Sequence, residues 1–191
     1  MTMISSRLFQ PLILGACALL LASCSSSSSG GSGPTDENSF GQMYKLADGE
    51  VQGWSQSKAS TAFAVYTDKN LTDRIDGQAP SYVDKGMKFA MYQSLLGPDP
   101  QTCTLTVMDF VTEAQAKSMF DSRTAQVSAN LPIPSYQASV SMASQNLAGI
   151  TAFAWFKGVY LEVILDGFGS DTDAASQAAA KFLAAIEAKT K

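Results

Sequence analysis

Residues 150–165 read ITAFAWFKGVYLEVIL, two strand-favouring runs that are separated by Lys157-Gly158. Aromatic and β-branched residues favour strands, and a two-residue connection that contains glycine joins neighbouring strands as an antiparallel hairpin. We therefore predict strands over Ile150–Phe156 and Val159–Leu165. A hairpin of this kind indicates that the fold is built on an antiparallel sheet.

The flanking sequence adds further strands on the upstream side of this hairpin. Alternating apolar residues and turn signals predict strands at Thr61–Thr67, Met87–Met91, Thr102–Val111 and Gln137–Met142. A turn at 97–100, Gly-Pro-Asp-Pro, separates the second of these strands from the third. Antiparallel pairing is expected wherever the connection between two strands is this short.

Helices are predicted between the groups of strands. Apolar residues recur at helical spacing from Leu71 to Val83, but Gly77 and Pro80 divide this stretch into two short pieces. Asp76 is expected to stop the first piece, with Gly77 in the left-handed conformation and Gly86 closing the second.

Two longer helices have recognisable first turns. Thr112 and Gln115 have the spacing of a capping box, and Ser170 or Asp171 caps the last helix. The first helix ends before Pro132. The residues predicted to be buried are Ala116, Met119, Phe120 and Val127 in the first helix and Ala175, Ala178, Phe182 and Ile186 in the second.

The predicted order is strand, helix, two strands, helix, three strands, helix. Short connections between neighbouring strands favour an α+β fold, a mostly antiparallel sheet with its helices packed on one face. The order also suggests two helix-plus-strands units. We assign residues 40–191 to this single domain.

The N-terminal residues 1–23 have the form of a secretory signal, with Arg7 ahead of an apolar run from Leu12 to Ala22. That run is about half the roughly 20 residues needed to span a membrane. Its end, Leu21-Ala22-Ser23-Cys24, resembles the lipobox of bacterial lipoproteins. The resemblance implies cleavage between Ser23 and Cys24 and palmitate-type acyl chains on Cys24. The alternative is ordinary secretion with Cys24 unmodified.

The resemblance also implies a location. Lipid on Cys24 would hold the chain on a membrane of the cell envelope, and residues 24–39, rich in Ser and Gly, would form a flexible tether. Ser25 follows the lipidated residue, which in a Gram-negative organism favours the outer membrane, facing the periplasm.

Composition excludes several classes of function. Removal of Arg7 with the signal leaves 12 basic and 17 acidic residues, an unfavourable balance for binding nucleic acid. The chain has no histidine, which excludes catalysis by imidazole, so we predict no catalytic residue, no metal site and no cofactor. Cys17 leaves with the signal and Cys24 would be acylated, so Cys103 stands without a disulfide partner within the chain. Alternation places it beside Leu105 and Val107 in the core, and a reactive or pairing thiol is the alternative.

Carboxylates offer the remaining chemistry. Asp73 and Asp76 are three residues apart and could hold a metal or act as acid and base, but a solvated helix face is the commoner explanation of such a pair. The loop from Asp166 to Asp173 lacks the spacing of a calcium-binding EF-hand and is interpreted as a strand-to-helix turn. Asp109 interrupts an apolar strand, so that it marks a pocket or the point where the strand leaves the core.

A further resemblance rests on residues 71–86, LTDRIDGQAPSYVDKG. This segment is similar to one in an uncharacterised family of exported bacterial domains, which implies a fold and an envelope location but no activity. Asp76, Tyr82 and Asp109 are our candidate ligand-binding residues. The aromatic residues form either a ligand groove or ordinary core, and they are Trp54, Tyr82, Tyr92, Trp155 and Tyr160.

Taken together, these features favour a non-enzymatic envelope lipoprotein that binds a partner protein or a small molecule. A metal-dependent hydrolase built on carboxylates and a structural envelope component are the alternatives.

Overall fold

The computed structural model describes residues 34–127, 131–133, 141–145 and 149–190. The predicted signal at 1–23, Cys24 and most of the predicted tether lie outside this range. The helices are α1 (Glu37–Tyr44), α2 (Thr72–Ile75), α3 (Ala79–Val83), α4 (Glu113–Thr124) and α5 (Thr172–Lys189), with a 3₁₀ turn at Asp76–Gln78. The strands are β1 (Ser55–Gln56), β2 (Phe63–Thr67), β3 (Met87–Leu96), β4 (Thr102–Phe110), β5 (Ser141–Gln145), β6 (Gly149–Phe156) and β7 (Val159–Asp166).

All seven of these strands belong to one sheet. Its order is β1-β3-β4-β7-β6-β5, and β2 pairs with β3 alongside β1. Every pairing is antiparallel. Two meanders, β2-β3-β4 and β5-β6-β7, therefore meet where β4 pairs with β7, which confirms the α+β class and the antiparallel sheet.

The hairpin formed by β6 and β7 is the one that the sequence predicts. Trp155 pairs with Tyr160 across a two-residue connection in which Lys157 has a φ of +51°. A Cβ on Gly158 would lie 3.0 Å from the carbonyl oxygen of Phe110, whose own N–H donates to the Gly158 carbonyl at 2.8 Å. Glycine thus lets the hairpin pack tightly against the end of β4.

Helices cover both faces of the sheet, so the predicted one-sided packing is wrong. Helices α1 and α5 pack on one face, which we call the α5 face, through Phe40 and Phe182. Helices α2, α3 and α4 pack on the opposite face, the α4 face, where Tyr82 and Phe120 are buried. The physical reason lies in the central strands, which are apolar on both sides and need cover on both.

The first helix lies partly inside the predicted tether, which is a correction to the boundary at residue 39. Asp36 caps α1 by accepting from the Ser39 N–H at 2.8 Å, and the Ser39 hydroxyl accepts from the Asp36 N–H at 3.2 Å. Phe40 and Tyr44 then bury their rings on the α5 face. This capping box, together with two buried rings, orders residues whose composition resembles that of the tether.

The loop after α1 is joined to the sheet by a buried amide. Gln93 of β3 is 1 % exposed, and its side-chain Nε2 donates to the carbonyl of Leu46 at 2.8 Å. The Leu46 N–H donates back to Oε1 at 2.9 Å. One glutamine therefore satisfies both backbone groups of a residue that no strand pairs.

The segment from α2 to α3 breaks where the sequence predicts, but with a different residue in the strained position. Asp76 has a φ of +34°, whereas Gly77 lies outside the left-handed region. Pro80 sits in the first turn of α3, and Gly86, with a φ of +87°, closes the segment as expected.

The predicted caps of the two longer helices are confirmed. Thr112 accepts a hydrogen bond from the Gln115 N–H at the start of α4, and Asp171 accepts from the Ala174 N–H at 2.9 Å at the start of α5. Helix α4 ends at Thr124, ahead of the prolines. The residues predicted to be buried on these helices are buried, except that Val127 is partly exposed.

One predicted strand is displaced. Strand β5 spans Ser141–Gln145, so it overlaps the predicted Gln137–Met142 by two residues, and residues 137–140 lie outside the described range. Pairing with β6 sets this register, since Ser141 lies opposite Ala154. In the part of the chain that is described, no helix is both long and apolar enough to cross a membrane.

Candidate functional site

The α4 face of the sheet carries a row of polar side chains at its centre. Tyr92 of β3 pairs with Thr106 of β4, and Thr106 pairs with Glu162 of β7. Because paired residues on neighbouring strands point to the same face about 5 Å apart, these three side chains are neighbours. Thr104 and Ile164 form the adjacent row. Thr106 and Glu162 are 5 % and 8 % exposed, so this polar row is largely buried.

Glu162 has a partner on each of its carboxylate oxygens. Arg123, from the last turn of α4, approaches Oε1 with Nη2 at 3.2 Å, and the Tyr160 hydroxyl donates to Oε2 at 3.2 Å. Tyr160 is fully buried, whereas the Arg123 side chain is 31 % exposed. The Nε–H of Arg123 is buried and has no acceptor among the described residues.

These groups perturb one another's titration. Burial, the largest single effect, lowers the pKa of Arg123, but the Glu162 carboxylate together with Tyr82 and Tyr160 raises it overall, so the guanidinium stays charged. Burial, followed by the negative charge of Glu162, raises the pKa of both Tyr160 and Tyr82. The two tyrosines therefore remain neutral hydrogen-bonding groups beside a fixed ion pair.

A cavity of about 250 Å³ lies above this polar row. Its floor consists of sheet residues, namely Tyr92, Thr104, Thr106, Met108, Glu162 and Ile164. Its walls come from the α2–α3 segment and from α4, through Arg74, Ile75, Gln78, Tyr82 and Arg123. The cavity exists because two separate helical elements cover the α4 face and leave the sheet uncovered between them.

Arg74 lies between this cavity and a second one. Its guanidinium carbon is 4.9 Å from the centre of the Tyr92 ring, a cation–π contact. Tyr92 also meets Tyr66 edge-on, with 5.7 Å between ring centres. The second cavity, of about 360 Å³, is lined by both Arg74 and Tyr92 and extends toward β2 and Asp73. The two cavities are thus adjacent and share these two side chains.

A larger depression, of about 420 Å³, lies at the edge of the sheet near β2 and β3. Its charged residues, Asp68, Lys69 and Lys88, are all exposed. Exposed charges are cheap to keep in solution and need no special arrangement. The smaller cavity above Glu162 is the stronger candidate site, because a nearly buried carboxylate and its partly buried arginine partner line it.

No protein family model matches this chain. No curated protein matches it either. Among solved structures, the chain is similar to the extracellular domain of PknH from Mycobacterium tuberculosis. The TM-score is 0.45 at 13 % identity, over 81 % of this chain and 98 % of that one. A likeness of this size assigns no function.

The three candidate ligand-binding residues do not come together. Tyr82 lines the cavity above Glu162. Asp76 is exposed and is not one of the lining residues. Asp109 alternates with Leu105 and Val107, and so lies on the α5 face. Of the three candidate residues, Tyr82 lies at this cavity and Asp76 and Asp109 do not.

Asp109 fits the second of the two interpretations, that the strand leaves the core there. Strand β4 ends at Phe110, and Val111, the next residue on the face of Asp109, is 56 % exposed. Burial raises the pKa of Asp109, and Lys88 partly opposes that shift. Burial, with a smaller effect from Asp109, raises the pKa of Tyr44 to about 12. The carboxylate is thus a partly buried acid at the margin of the α5 face.

The aromatic residues all contribute to the core, and two of them also line the cavity. Tyr82 and Tyr92 line the cavity. Trp54 packs edge-on against Phe182 at 4.9 Å between ring centres, within the core of the α5 face. Tyr160 is in the core of the α4 face and Trp155 packs against that core. The core interpretation therefore fits all five aromatic residues, and a ligand groove at Tyr82 and Tyr92 stays a prediction.

Sequence reasoning missed the central pair of the site, Arg123 and Glu162. Each has a visible signal, because each interrupts an apolar pattern. Glu162 is the single charge within the apolar run 159–165, VYLEVIL, and Arg123 occupies the position on α4 that continues the buried series Ala116, Met119, Phe120. A charged residue at two such core-facing positions predicts a buried ion pair.

The other acidic residues have local roles. Asp73 and Asp76 are exposed, and Asp171 caps α5. Within the described ranges, no three His, Cys, Asp or Glu side chains are grouped closely enough to hold a metal ion. Cys103 is a free thiol that is 1 % exposed beside Leu105, as alternation predicts, and burial raises its pKa. Such a thiol is protonated and shielded from reagents.

Proposed function

We propose that this chain is a lipid-anchored protein of the bacterial envelope whose domain binds a small molecule in the cavity above Glu162 and catalyses no reaction. The anchor is inferred from the lipobox-like Leu21-Ala22-Ser23-Cys24. The binding function is inferred from the cavity. A partner protein is the less favoured occupant, because the polar groups lie at the bottom of a hollow rather than on a protruding surface.

The observation that carries the proposal is the ion pair of Arg123 and Glu162 beneath the cavity. A buried ion pair loses hydration that its Coulomb attraction does not fully recover, so apolar residues of similar size would often serve stability as well. Here the pair lies on a sheet face that is otherwise packed with Met108, Phe153 and Tyr160. Charged groups retained at such a position, next to open space, are typical of a binding site.

Binding rather than catalysis follows from how the groups are occupied. Among the described residues that line this cavity, Glu162 is the only carboxylate, and each of its oxygens already accepts a hydrogen bond, from Arg123 or from Tyr160. These described residues therefore provide no second carboxylate that could work with Glu162 as an acid–base pair. Arginine, threonine and glutamine side chains remain to orient a ligand.

A cavity-filling substitution tests this function. The full chain, with its own lipobox, is purified from membranes in detergent, and small molecules that co-purify are identified by native mass spectrometry. Thr104→Phe places a ring in the cavity floor, while Thr102→Phe makes the same change at an exposed position of the same strand, outside the lining. Phenylalanine suits a strand, so both variants should fold.

We expect a bound compound with the wild-type chain and with Thr102→Phe, and at least a tenfold reduction with Thr104→Phe. Equal recovery from all three proteins would refute the assignment to this cavity. A chain that carries no compound, but that crosslinks to another envelope protein in cells, would favour a structural or protein-binding role instead. Stoichiometric Ca²⁺ or Mg²⁺ that Asp73→Asn removes would favour the hydrolase.

A further inference from the structure

The cavity above Glu162 has unused hydrogen-bond donors but no unused carboxylate. Each carboxylate oxygen of Glu162 already accepts one hydrogen bond, from Arg123 and from Tyr160. Arg123 carries five N–H donors in a planar fork. The guanidinium contacts Glu162 and the Tyr160 hydroxyl, and its buried Nε–H has no acceptor among the described residues. The hydroxyl groups of Thr104 and Thr106 can donate as well. A ligand that completes this arrangement must bring acceptors.

Arg74 adds a second positive charge at the cavity wall. It forms no ion pair with any acid in the described part of the chain, and its guanidinium is held over the ring of Tyr92. Stacking fixes the plane of the guanidinium while leaving its edge available for hydrogen bonds. With two arginines and one glutamate, the described residues of the lining have a net charge of +1.

The remaining lining is apolar and small in extent. Ile75, Met108 and Ile164 contribute hydrocarbon, and the rings of Tyr82 and Tyr92 contribute flat surface. The volume of about 250 Å³ corresponds to roughly eight water molecules at about 30 Å³ each. The cavity thus fits a compact molecule that has one charged end and one apolar part.

Building on the proposed function, we infer that the ligand is a small organic anion: a carboxylate attached to an apolar or aromatic group. The carboxylate accepts from Arg74 and from the free donors of Arg123, since guanidinium groups match the geometry of carboxylates. The apolar part lies against Ile75 and Ile164. Glu162 holds Arg123 in place and does not touch the ligand's charge.

A pair of compounds of nearly the same shape, one an anion and the other a neutral amide, tests this inference. These compounds are benzoate, the anion, and benzamide. Their binding to the full chain in detergent is measured by titration with ligand-observed NMR, and the Thr104→Phe variant serves as the blank for binding to the micelle. Inorganic phosphate is added as a competitor to separate an organic carboxylate from a simple oxyanion.

We expect benzoate to bind at least about ten times more tightly than benzamide, which is the contribution of about one hydrogen bond to a charged group. Arg74→Gln should abolish most of this preference. Arg74 is exposed, so its replacement leaves no buried charge unpaired. Lys117→Gln removes a positive charge from the exposed side of α4 and should leave the preference unchanged.

Three results would overturn the inference. Equal affinity for benzoate and benzamide would mean that the cavity does not select for charge, while the proposed binding function would stand. Displacement of benzoate by an equal concentration of phosphate would exclude the organic carboxylate. Absence of binding by both compounds would also overturn the inference. The proposed function would then be tested separately, by whether a small molecule co-purifies with the wild-type chain.

Discussion

Glu162 and Arg123 form an asymmetric pair, because Glu162 is almost fully buried while Arg123 reaches it from the cavity wall. The Glu162 side chain is 11 % exposed and that of Arg123 31 %. Loss of the arginine therefore leaves a buried carboxylate with Tyr160 as its single partner. Loss of the glutamate leaves an arginine that can still turn toward solvent.

Arg123→Met should lower the free energy of unfolding by about 1–3 kcal/mol. The value lies below the roughly 3–5 kcal/mol of a fully buried broken pair because Arg123 is partly exposed. Chemical unfolding in urea measures it. The double variant Arg123→Met with Glu162→Gln should recover most of the loss, because the introduced amide would still accept from the Tyr160 hydroxyl without carrying a charge.

The Lys117–Asp121 pair provides the control for this measurement. It lies on the same helix, with side chains 50 % and 55 % exposed, so Lys117→Met should change stability by less than about 0.5 kcal/mol. A loss with Lys117→Met as large as that with Arg123→Met would show that the ion pair with Glu162 has no special role in stability.

Asp109 provides a prediction about pH. Its pKa in the folded chain is raised by burial, so the folded state favours the protonated form. Its contribution to stability is therefore greatest below the unfolded pKa and is lost as the pH rises through the folded pKa. Asp109→Asn should raise the Tm relative to wild type, and by more at about pH 7 than at about pH 3.

The control for this change is Asp68→Asn, which removes one negative charge from an exposed position. Thermal unfolding of the three proteins at several pH values gives the comparison. A Tm difference between Asp109→Asn and wild type that shrinks as the pH rises would contradict the burial of Asp109.

At the scale of elements, the α2–α3 segment matters because it forms one wall of the cavity. It contains Gly77 and is closed by Gly86, and the two glycines are structurally different. An added Cβ at Gly77 would meet no atom within 4 Å, and its φ lies outside the left-handed region. Gly86 has a φ of +87°, and a Cβ there would collide with the side-chain amide of Gln115.

Gly77→Ala should therefore stabilise the chain by about 0.4–1 kcal/mol, by reducing the freedom of the unfolded chain. Gly86→Ala should destabilise it by more than about 1 kcal/mol, from the strained φ and the contact with Gln115. Urea unfolding of both variants gives the comparison. A destabilising effect of Gly77→Ala would restore the sequence-based assignment of the left-handed conformation to Gly77.

The elements that could be predicted are those whose signal is local. The β6–β7 hairpin combines strand-favouring residues with a two-residue turn, and α4 and α5 begin at capping residues. Helix α1 was missed because eight residues are too few for a stable isolated helix. It is held by Phe40 and Tyr44, which pack against strands distant in sequence.

The one-sided packing was predicted wrongly for a related reason. The run 159–165, VYLEVIL, is apolar at successive positions, which is typical of a strand buried on both faces rather than one. The site was harder to predict than the fold. Arg123 and Glu162 are 39 residues apart in the sequence. They are in contact because α4 packs over β7, and no periodic pattern in the sequence reports where a helix packs on a sheet.

At the scale of the molecule, the two faces of the sheet are packed differently. The α5 face is packed with apolar residues from several strands and from α5, including Leu105, Leu161 and Phe182. The α4 face is covered by two shorter helical elements and keeps the cavity between them. Most of the apolar surface that is buried, and therefore most of the hydrophobic stabilisation, lies on the α5 face. The α4 face can therefore keep a cavity and charged residues without unfolding the domain.

Membrane attachment is the remaining whole-molecule prediction, and it depends on residue 24 alone. Each buried CH₂ of an acyl chain contributes about 0.8 kcal/mol, so two or three chains on Cys24 would hold the protein at the membrane without a spanning helix.

Cys24→Ser removes the thiol that accepts the lipid. We expect this variant to stay uncut, to lose the acyl mass in an intact-mass measurement, and to leave the washed membrane fraction. Cys103→Ala, which changes the buried thiol beside Leu105, should remain lipidated and bound. Acylated, membrane-bound Cys24→Ser protein would refute the lipoprotein assignment, and the binding function of the cavity would then have to be tested on a secreted domain.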